Sequence, residues 1–431
     1  MANNRRSFIK KITTSSLLTL GSIEALAEES KDDFFLPDDS ENDFAVSSND
    51  EAYWSRVRKQ FTLSADCINL NSGNISPAPK VVQKAIIRQL EYCNLAPSLN
   101  MLRILEQNRE QLVANLANFA GCQPDEIVIN RNASEGLQTI IFGLPLQKND
   151  EVILCKYDYP HLIDAWKQRE LRDGIKLVWV DIKLPSEDEN YLIHAFTDLF
   201  TPKTKLVNLT HIINWNGQIL PVKKIISEAE KKGILTLVDA AHSFALLPQK
   251  ITDYGCDYLV ASLHKWLYAP TGTGLLYVKK ERIKNLYPLF SNSNPQSETI
   301  DKFTHLGTRP MYMDHAINQA ITFNNAIGQE KKQARLQFLK NYWMEKIAHI
   351  PGVKFQTSAN NIWSTAMANV YVEGATAYEL DAFLFANYKI HAVSINREKI
   401  TSLRITPNVF SSVKELDLLA EGIENFAKNN R

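Results

Sequence analysis

Between residues 125 and 263 the sequence repeats one pattern, a short β-branched run followed by a polar turn and a stretch with helical character. The runs are DEIVIN (125–130), DEVILC (150–155), KLVWVDI (176–182), KLVNLTHI (205–212), ILTLVDA (234–240) and DYLVASL (257–263). Helix-like stretches such as MLRILEQNREQLVANLANFAG (101–121) and VKKIISEAEKKG (222–233) close on Gly121 and Gly233, which are placed as C-caps. Alternation of this kind requires a mostly parallel sheet covered by helices on both faces. Beyond about residue 320 one long helix is expected over QAITFNNAIGQEKKQARLQFLKNYWMEKIAHI (319–350). The shorter strands MANVYVE and SLRITP follow it and suggest an α+β lobe.

The N-terminus reads differently. NNRRSFIKK precedes a mild apolar run, ITTSSLLTLGSI, too short and too rich in Ser and Thr to span a bilayer, and Ala25-Leu26-Ala27 offers small residues for cleavage. Arg5-Arg6 in that setting resembles a bacterial twin-arginine export signal over residues 1–27, which implies a periplasmic or exported protein met by the twin-arginine machinery. No cysteine precedes Cys67, so a lipid anchor is not supported. Residues 28–51 carry ten acids against one lysine without helical or strand period, the signature of an acidic flexible linker.

Composition narrows the partners. The formal net charge is zero and no basic block lies beyond the extreme N-terminus, which argues against nucleic acid and for small molecules. The five cysteines, 67, 93, 122, 155 and 256, form no CxxC pair and are odd in number, so neither a disulfide framework nor a zinc site is indicated.

In open α/β sheets ligands sit beyond the carboxyl ends of the strands. Those ends here deliver Asn132-Ala133-Ser134, Tyr159 and His161, Asn214, Asp239 and His242, and finally Ser262, His264 and Lys265. A lysine able to form a Schiff base, an aspartate for a ring nitrogen, an aromatic for a ring face and a helix N-terminus for phosphate are what pyridoxal 5'-phosphate (PLP) requires. Each residue has a plainer reading taken alone: a solvated lysine, a capping aspartate, a core tyrosine.

The segments LVDAAHSFALLP, ASLHKWLYAPTGTGLLYV, HLGTRP and LRITPNVFSSVKELD resemble the class V aminotransferase family of PLP enzymes, in its isopenicillin N epimerase-like branch. The similarity runs from about Asn69 to Ile423. It implies PLP fold type I, a large domain over 70–315 with a mainly parallel seven-stranded sheet, and a small α+β domain from 52–69 and 316–431. It also implies a homodimer with shared active sites.

Carried over by resemblance, Lys265 is the cofactor-linked lysine and later the base for the α-proton, since desolvation lowers a lysine's pKa. Asp239 pairs with the pyridine nitrogen. His242, where many relatives have Gln, donates toward the ring hydroxyl together with Asn214. Ala133 and Ser134 bind phosphate at a helix start, with Ser262 and His264 completing that end. Gly307 and Thr308 reach the partner subunit's phosphate, and Tyr159 stacks on the ring. Arg404 grips the substrate carboxylate and Asn74 lies in the substrate segment. Arg309 is a further anion contact, although Pro310 stands where relatives tend to have an acid.

The motifs fix the cofactor more tightly than the reaction, because transamination, epimerisation and elimination share a stabilised α-carbanion. Chemistry at an amino-acid α-carbon, epimerase- or aminotransferase-like, is the leading expectation. A carbon–sulfur lyase is the alternative within enzymes, and a non-catalytic PLP-fold binding protein the alternative outside them. Standard cysteine desulfurases use a cysteine in their C-terminal third, and this chain has none after Cys256.

Overall fold

The computed structural model describes residues 47–430. The expected export signal and the expected linker up to residue 46 lie outside the described residues. The end of that linker is an ordered turn: Asp50 N donates to Ser47 O at 3.0 Å. The Asp50 carboxylate then accepts from Ala52 N and Tyr53 N, both at 3.0 Å, and so caps helix α1 (Glu51–Lys59). Glu51 at the start of α1 and Arg56, Arg58 and Lys59 at its end match the helix dipole.

Strand β1 (Ile68–Asn69) is short. All six runs singled out above form strands: β2 (Ile127–Asn130), β3 (Glu151–Cys155), β4 (Lys176–Val180), β5 (Thr204–Thr210), β6 (Leu235–Asp239) and β7 (Tyr258–Ser262). They share one seven-stranded sheet with β8 (Gly274–Val278), in the order β2-β8-β7-β6-β5-β3-β4. Every pairing is parallel except the two made by β8, which runs against both β2 and β7. Fold type I, with its mainly parallel seven-stranded sheet, is therefore the architecture found.

Register decides where chemistry can occur. Asn130 pairs with Gly274 and Gly274 with Ser262, while Thr210 pairs with Asp239 and Asp239 with Val260. The last residues of β2, β5, β6 and β7 thus come out along one edge of the sheet. Helix α2 (Ala133–Gly143) starts there and lays Leu137, Ile140 and Ile141 on Val128, Val260 and Leu276, with Trp166 of the helix Pro160–Asp173 fully buried in the same cluster. Truncating a ring buried like that of Trp166 costs roughly 3–5 kcal/mol.

A second sheet, antiparallel in the order β12-β13-β10-β9, joins β9 (Val353–Phe355), β10 (Ala368–Val372), β12 (Val393–Arg397) and β13 (Ile400–Ile405). Between β10 and β12, β11 (Ile390–His391) pairs in parallel with β1. Leu339, Trp343, Leu380, Leu384, Leu416, Leu419 and Ile423 from three helices close over this sheet.

Two expected helices are interrupted. The stretch 101–121 is a π-helical turn, Asn100–Leu105, followed by a separate helix, Arg109–Ala120. Asn100 uses its side-chain amide to bond Tyr92 O at 2.6 Å, tying this turn to the preceding helix, and Asn108 makes no side-chain cap bond. Gly121 does close the second helix in the left-handed conformation, and Gly233 is also left-handed just after the helix Val222–Lys231. Residues 319–350 likewise divide. After α3 (Leu263–Trp266), the chain forms α4 (Ile317–Ile327) and α5 (Gln329–Ile347), separated at Gly328 with φ +84°, a value no helix interior tolerates.

Candidate active site

A cavity of about 240 Å³ opens at the sheet edge described above. Its wall includes Asn74, Ala133, Ser134, Tyr159, Asn214, Asp239, His242, Ser262, His264, Lys265 and Arg404. Residues separated by more than three hundred positions in sequence therefore converge, and all of them were expected from sequence.

Lys265 sits on α3, the single helical turn that follows β7. Its Nζ lies 2.9 Å from His242 Nε2. Burial pulls the lysine down to about 8, with Asp239 opposing and Arg404 reinforcing the shift. Asp239, at the end of β6, accepts a hydrogen bond from Ala241 N at 2.9 Å. Burial raises its pKa, while that bond and Lys265 hold it down. His242 is driven well below its usual value by burial, then by Lys265 and Arg404, so its ring is neutral.

At the other end of the cavity, Asn132 caps α2 by accepting from Glu135 N at 2.9 Å, and Ala133 N donates to Ser262 Oγ at 3.1 Å. Close approach makes this corner possible. A Cβ on Gly136 would stand 2.8 Å from Val260 Cγ1, and one on Gly274 would stand 2.6 Å from Asn132 Cα. The first turn of α2 therefore comes down onto β7 and β8, presenting a helix N-terminus suited to an anion. His264 is held by Nδ1–H donating to Thr273 O at 3.3 Å, and burial lowers its pKa.

Arg404 projects from β13. Its Nη1 donates to Asn214 O at 2.6 Å and its Nη2 to Asn71 Oδ1 at 3.0 Å. Nε is buried without a protein partner among the described residues. Burial lowers the guanidinium to about 10, which leaves it charged at neutral pH. Asn214 Oδ1 is likewise a buried acceptor without a protein partner. Tyr159 faces the cavity and meets His161 edge-on, ring centres 5.3 Å apart.

Gly307 and Thr308 do not join this wall; both are exposed, and Gly307 has φ +70°. Arg309 is turned away as well, paired with Asp314 at 3.2 Å. Three contributors went unread in the sequence. Thr210 lines the cavity from the end of β5, where the strand-end rule would have found it. Its hydroxyl donates to buried Asp158 at 2.6 Å, and Asp158 also accepts from Cys155 N and Asn208 Nδ2. Asn71, the partner of Arg404, lies just beyond β1, where it bridges in parallel to Thr406, and has no local signal.

Comparison with known proteins agrees with this geometry. The family model "Aminotransferase class-V" matches residues 68–394. Isopenicillin N epimerase of Streptomyces clavuligerus is 26% identical over 391 residues, covering 86% of this chain and 98% of that protein. A probable cysteine desulfurase of Synechocystis sp. is 28% identical, covering 69% of this chain and 75% of its own length. Among solved structures, the apo cysteine desulfurase of Thermococcus onnurineus NA1 superposes with a TM-score of 0.75 at 21% identity, over 87% of this chain and 98% of that one. A C-DES mutant with glycine covalently linked to its PLP cofactor gives 0.77 at 20% identity, over 85% of this chain and 99% of that one.

The wall fits PLP on its own chemistry. Among the described residues, Lys265 is the cation that offsets the burial of Asp239, and a protonated ring nitrogen would be a second. The buried Asn214 oxygen is an orphaned acceptor, and the α2 N-terminus with Ser134 and Ser262 asks for an anion. With a family model spanning most of its length and a cavity whose donors match the cofactor, the chain belongs to the class-V aminotransferase family and is a PLP-dependent enzyme.

Proposed function

We propose that this enzyme acts at the α-carbon of an amino acid or amino-acid derivative, by epimerisation or amino transfer. The observation that carries the reading is the meeting of Lys265, Asp239 and Arg404 on one cavity. PLP, when bound, supplies an electron sink for charge developing at the α-carbon. Arg404 orients the substrate through its carboxylate, and that orientation selects the bond to be broken. Lys265 Nζ, its proton affinity lowered by burial, takes the α-proton. With the cofactor bound, Asp239 would hold the ring nitrogen protonated, His242 would donate to the ring oxygen, and Tyr159 would cover the ring against water. Ala133, Ser134, Ser262 and His264 hold the phosphate end, and Asn74 borders the substrate.

Carbon–sulfur cleavage through a nucleophilic cysteine is disfavoured. None of the five cysteines lines the cavity, and burial raises the thiols of Cys93, Cys122, Cys155 and Cys256. Retention of lysine, aspartate and arginine together argues against a purely binding role.

The protein acts as a homodimer in this reading. Ile87, Leu90, Leu95, Leu99 and Leu102 expose an apolar face along residues 87–102, as a subunit interface requires, and the exposed Gly307–Thr308 segment is available to a partner's phosphate site. Arg5-Arg6 directs export to the periplasm, supported by the apolar run and small residues after it. A lysine pair at positions 5 and 6 should retain the precursor in the cytoplasm, and unchanged export would refute that assignment.

The central test is borohydride reduction of the purified protein followed by peptide mass spectrometry, then incubation with L- and D-amino acids in deuterated solvent. A pyridoxyl group on Lys265, absent in Lys265→Ala, and α-deuterium in the amino acid are expected. Inverted product identifies an epimerase, a keto acid an aminotransferase, and sulfide with pyruvate a lyase. Trapping at another lysine refutes the assignment.

A further inference from the structure

Lys265 is followed by Trp266, whose side chain the reading above leaves without a task. Trp266 is fully buried, and its indole Nε1 donates to His242 Nδ1 at 3.4 Å. An indole N–H can only donate, so Nδ1 is the acceptor nitrogen of His242. With the ring neutral, its one proton belongs on Nε2, and the 2.9 Å contact with Lys265 Nζ is then a donation to the lysine as an uncharged amine, the form that Schiff-base formation requires. The opposite tautomer would present a lone pair there and invert the polarity of the cavity wall. It would accept from an ammonium at Lys265 and could not donate to the cofactor.

The backbone around Trp266 is fastened from behind. A four-residue helical turn leaves its trailing carbonyls without helical partners. Here Trp266 O accepts from Lys332 Nζ at 2.8 Å and Leu267 O from Asn324 Nδ2 at 2.7 Å. Lys332 also bonds Asn324 Oδ1, and its Nζ lies 5.0 Å from the centre of the Tyr268 ring. Lys332 and Asn324 are each 1% exposed. Tyr268 occupies φ +61°, a left-handed conformation costly for an aromatic residue, and its hydroxyl is held by Asn408 Oδ1 at 2.6 Å. Tyr268, Asn324 and Lys332 therefore over-determine the course of the chain just past Lys265.

We propose that Trp266 is a positioning residue that fixes His242 in the tautomer protonated on Nε2, and that Lys332 with Asn324 holds Trp266 in register to do so. The proposal rests on the reading of Lys265 and His242 as cofactor-site residues. It makes the His242 hydrogen bond a consequence of a residue outside the cavity wall.

The experiment is nitrogen-15 NMR of the PLP-loaded protein carrying labelled histidine, with His242 assigned by its loss in His242→Gln. In the wild type, Nδ1 should resonate as an unprotonated and Nε2 as a protonated imidazole nitrogen. Trp266→Phe keeps an aromatic ring but removes the N–H, and should mix or reverse that pattern. It should also change the visible circular dichroism of the cofactor and slow α-hydrogen exchange about tenfold at saturating amino acid, with KM unchanged, as expected for one lost hydrogen bond. Lys332→Met should move the same nitrogen signals in the same direction. A wild-type His242 protonated on Nδ1 overturns the proposal without any variant. An unchanged nitrogen pattern in Trp266→Phe overturns it too, and a Lys332→Met protein that melts lower but keeps the pattern overturns the role of Lys332. Borohydride trapping at a lysine other than Lys265 would instead sink the reading of the site, while the nitrogen spectrum still judges Trp266.

Discussion

Arg404→Lys separates charge from geometry at the end of the cavity proposed to bind the substrate carboxylate. Arginine presents five N–H donors in a rigid fork, and two of its nitrogens already engage Asn214 O and Asn71 Oδ1. These two contacts fix the guanidinium plane and leave three N–H donors, one on each nitrogen, of which Nε has no protein partner among the described residues. Lysine keeps the positive charge but offers a single point. The loss is at least one charge-assisted hydrogen bond, about 1.5–3 kcal/mol, or roughly ten- to a hundredfold in affinity. Some stability should also go, because Asn214 O and Asn71 lose a partner, so the assay must separate the two effects. Affinity is measured from the change in cofactor absorbance for an amino acid and for the amine that lacks its α-carboxylate. The amino acid should weaken by the stated factor, the amine should be unaffected, and PLP content should be unchanged. Equal weakening of both ligands would refute the reasoning, since the arginine would then be shaping the cavity and not reading the carboxylate.

Gly274→Ala should cost about 1–3 kcal/mol in a denaturant titration and weaken PLP retention, since the added Cβ would stand 2.6 Å from Asn132 Cα and 2.7 Å from Asn132 C. Tight PLP binding in that variant would mean the approach of β8 to the start of α2 is not needed for the phosphate end. Asp158 is fully buried and pushed up to about 7, chiefly by burial, with its hydrogen bonds from Thr210, Cys155 N and Asn208 opposing. A carboxyl raised in the folded state contributes stability that is complete below about pH 4 and is lost as pH rises through about 7. Each tenfold change in proton affinity is worth about 1.4 kcal/mol. Asp158→Asn should therefore flatten part of the fall in melting temperature between pH 4.5 and 7.5, and an identical pH profile for the two proteins would exclude a buried protonated Asp158.

What the sequence disclosed and what it withheld divide along the distance between partners. The strands were legible because each run is consecutive, and their final residues were legible as a site because parallel strands share one functional edge. Asp239, Lys265 and the start of α2 needed no more than that. Asn71 was missed in favour of Asn74 because its value comes from its bridge to Thr406, two residues after Arg404 and more than three hundred residues away. Asp158 adjoins Tyr159 in sequence, yet its importance comes from Thr210 on another strand. The break at Gly328 was overridden by helical spacing on both sides, although a glycine with positive φ was the physical alternative at that point.

The reversed strand β8 also sets an order of assembly. Strand β2 finds its sheet neighbour only in residues 274–278, and β1 only in residues 390–391. A ribosome making this chain releases the turn of α2 proposed to bind phosphate long before the strand that anchors it. Arg404, on the same cavity wall, emerges later still, more than a hundred residues after β8. On the proposed roles cofactor capture is consequently late: a chain cut short before β8 lacks the strand against which the start of α2 packs, and one cut short before β13 has Lys265 without Arg404.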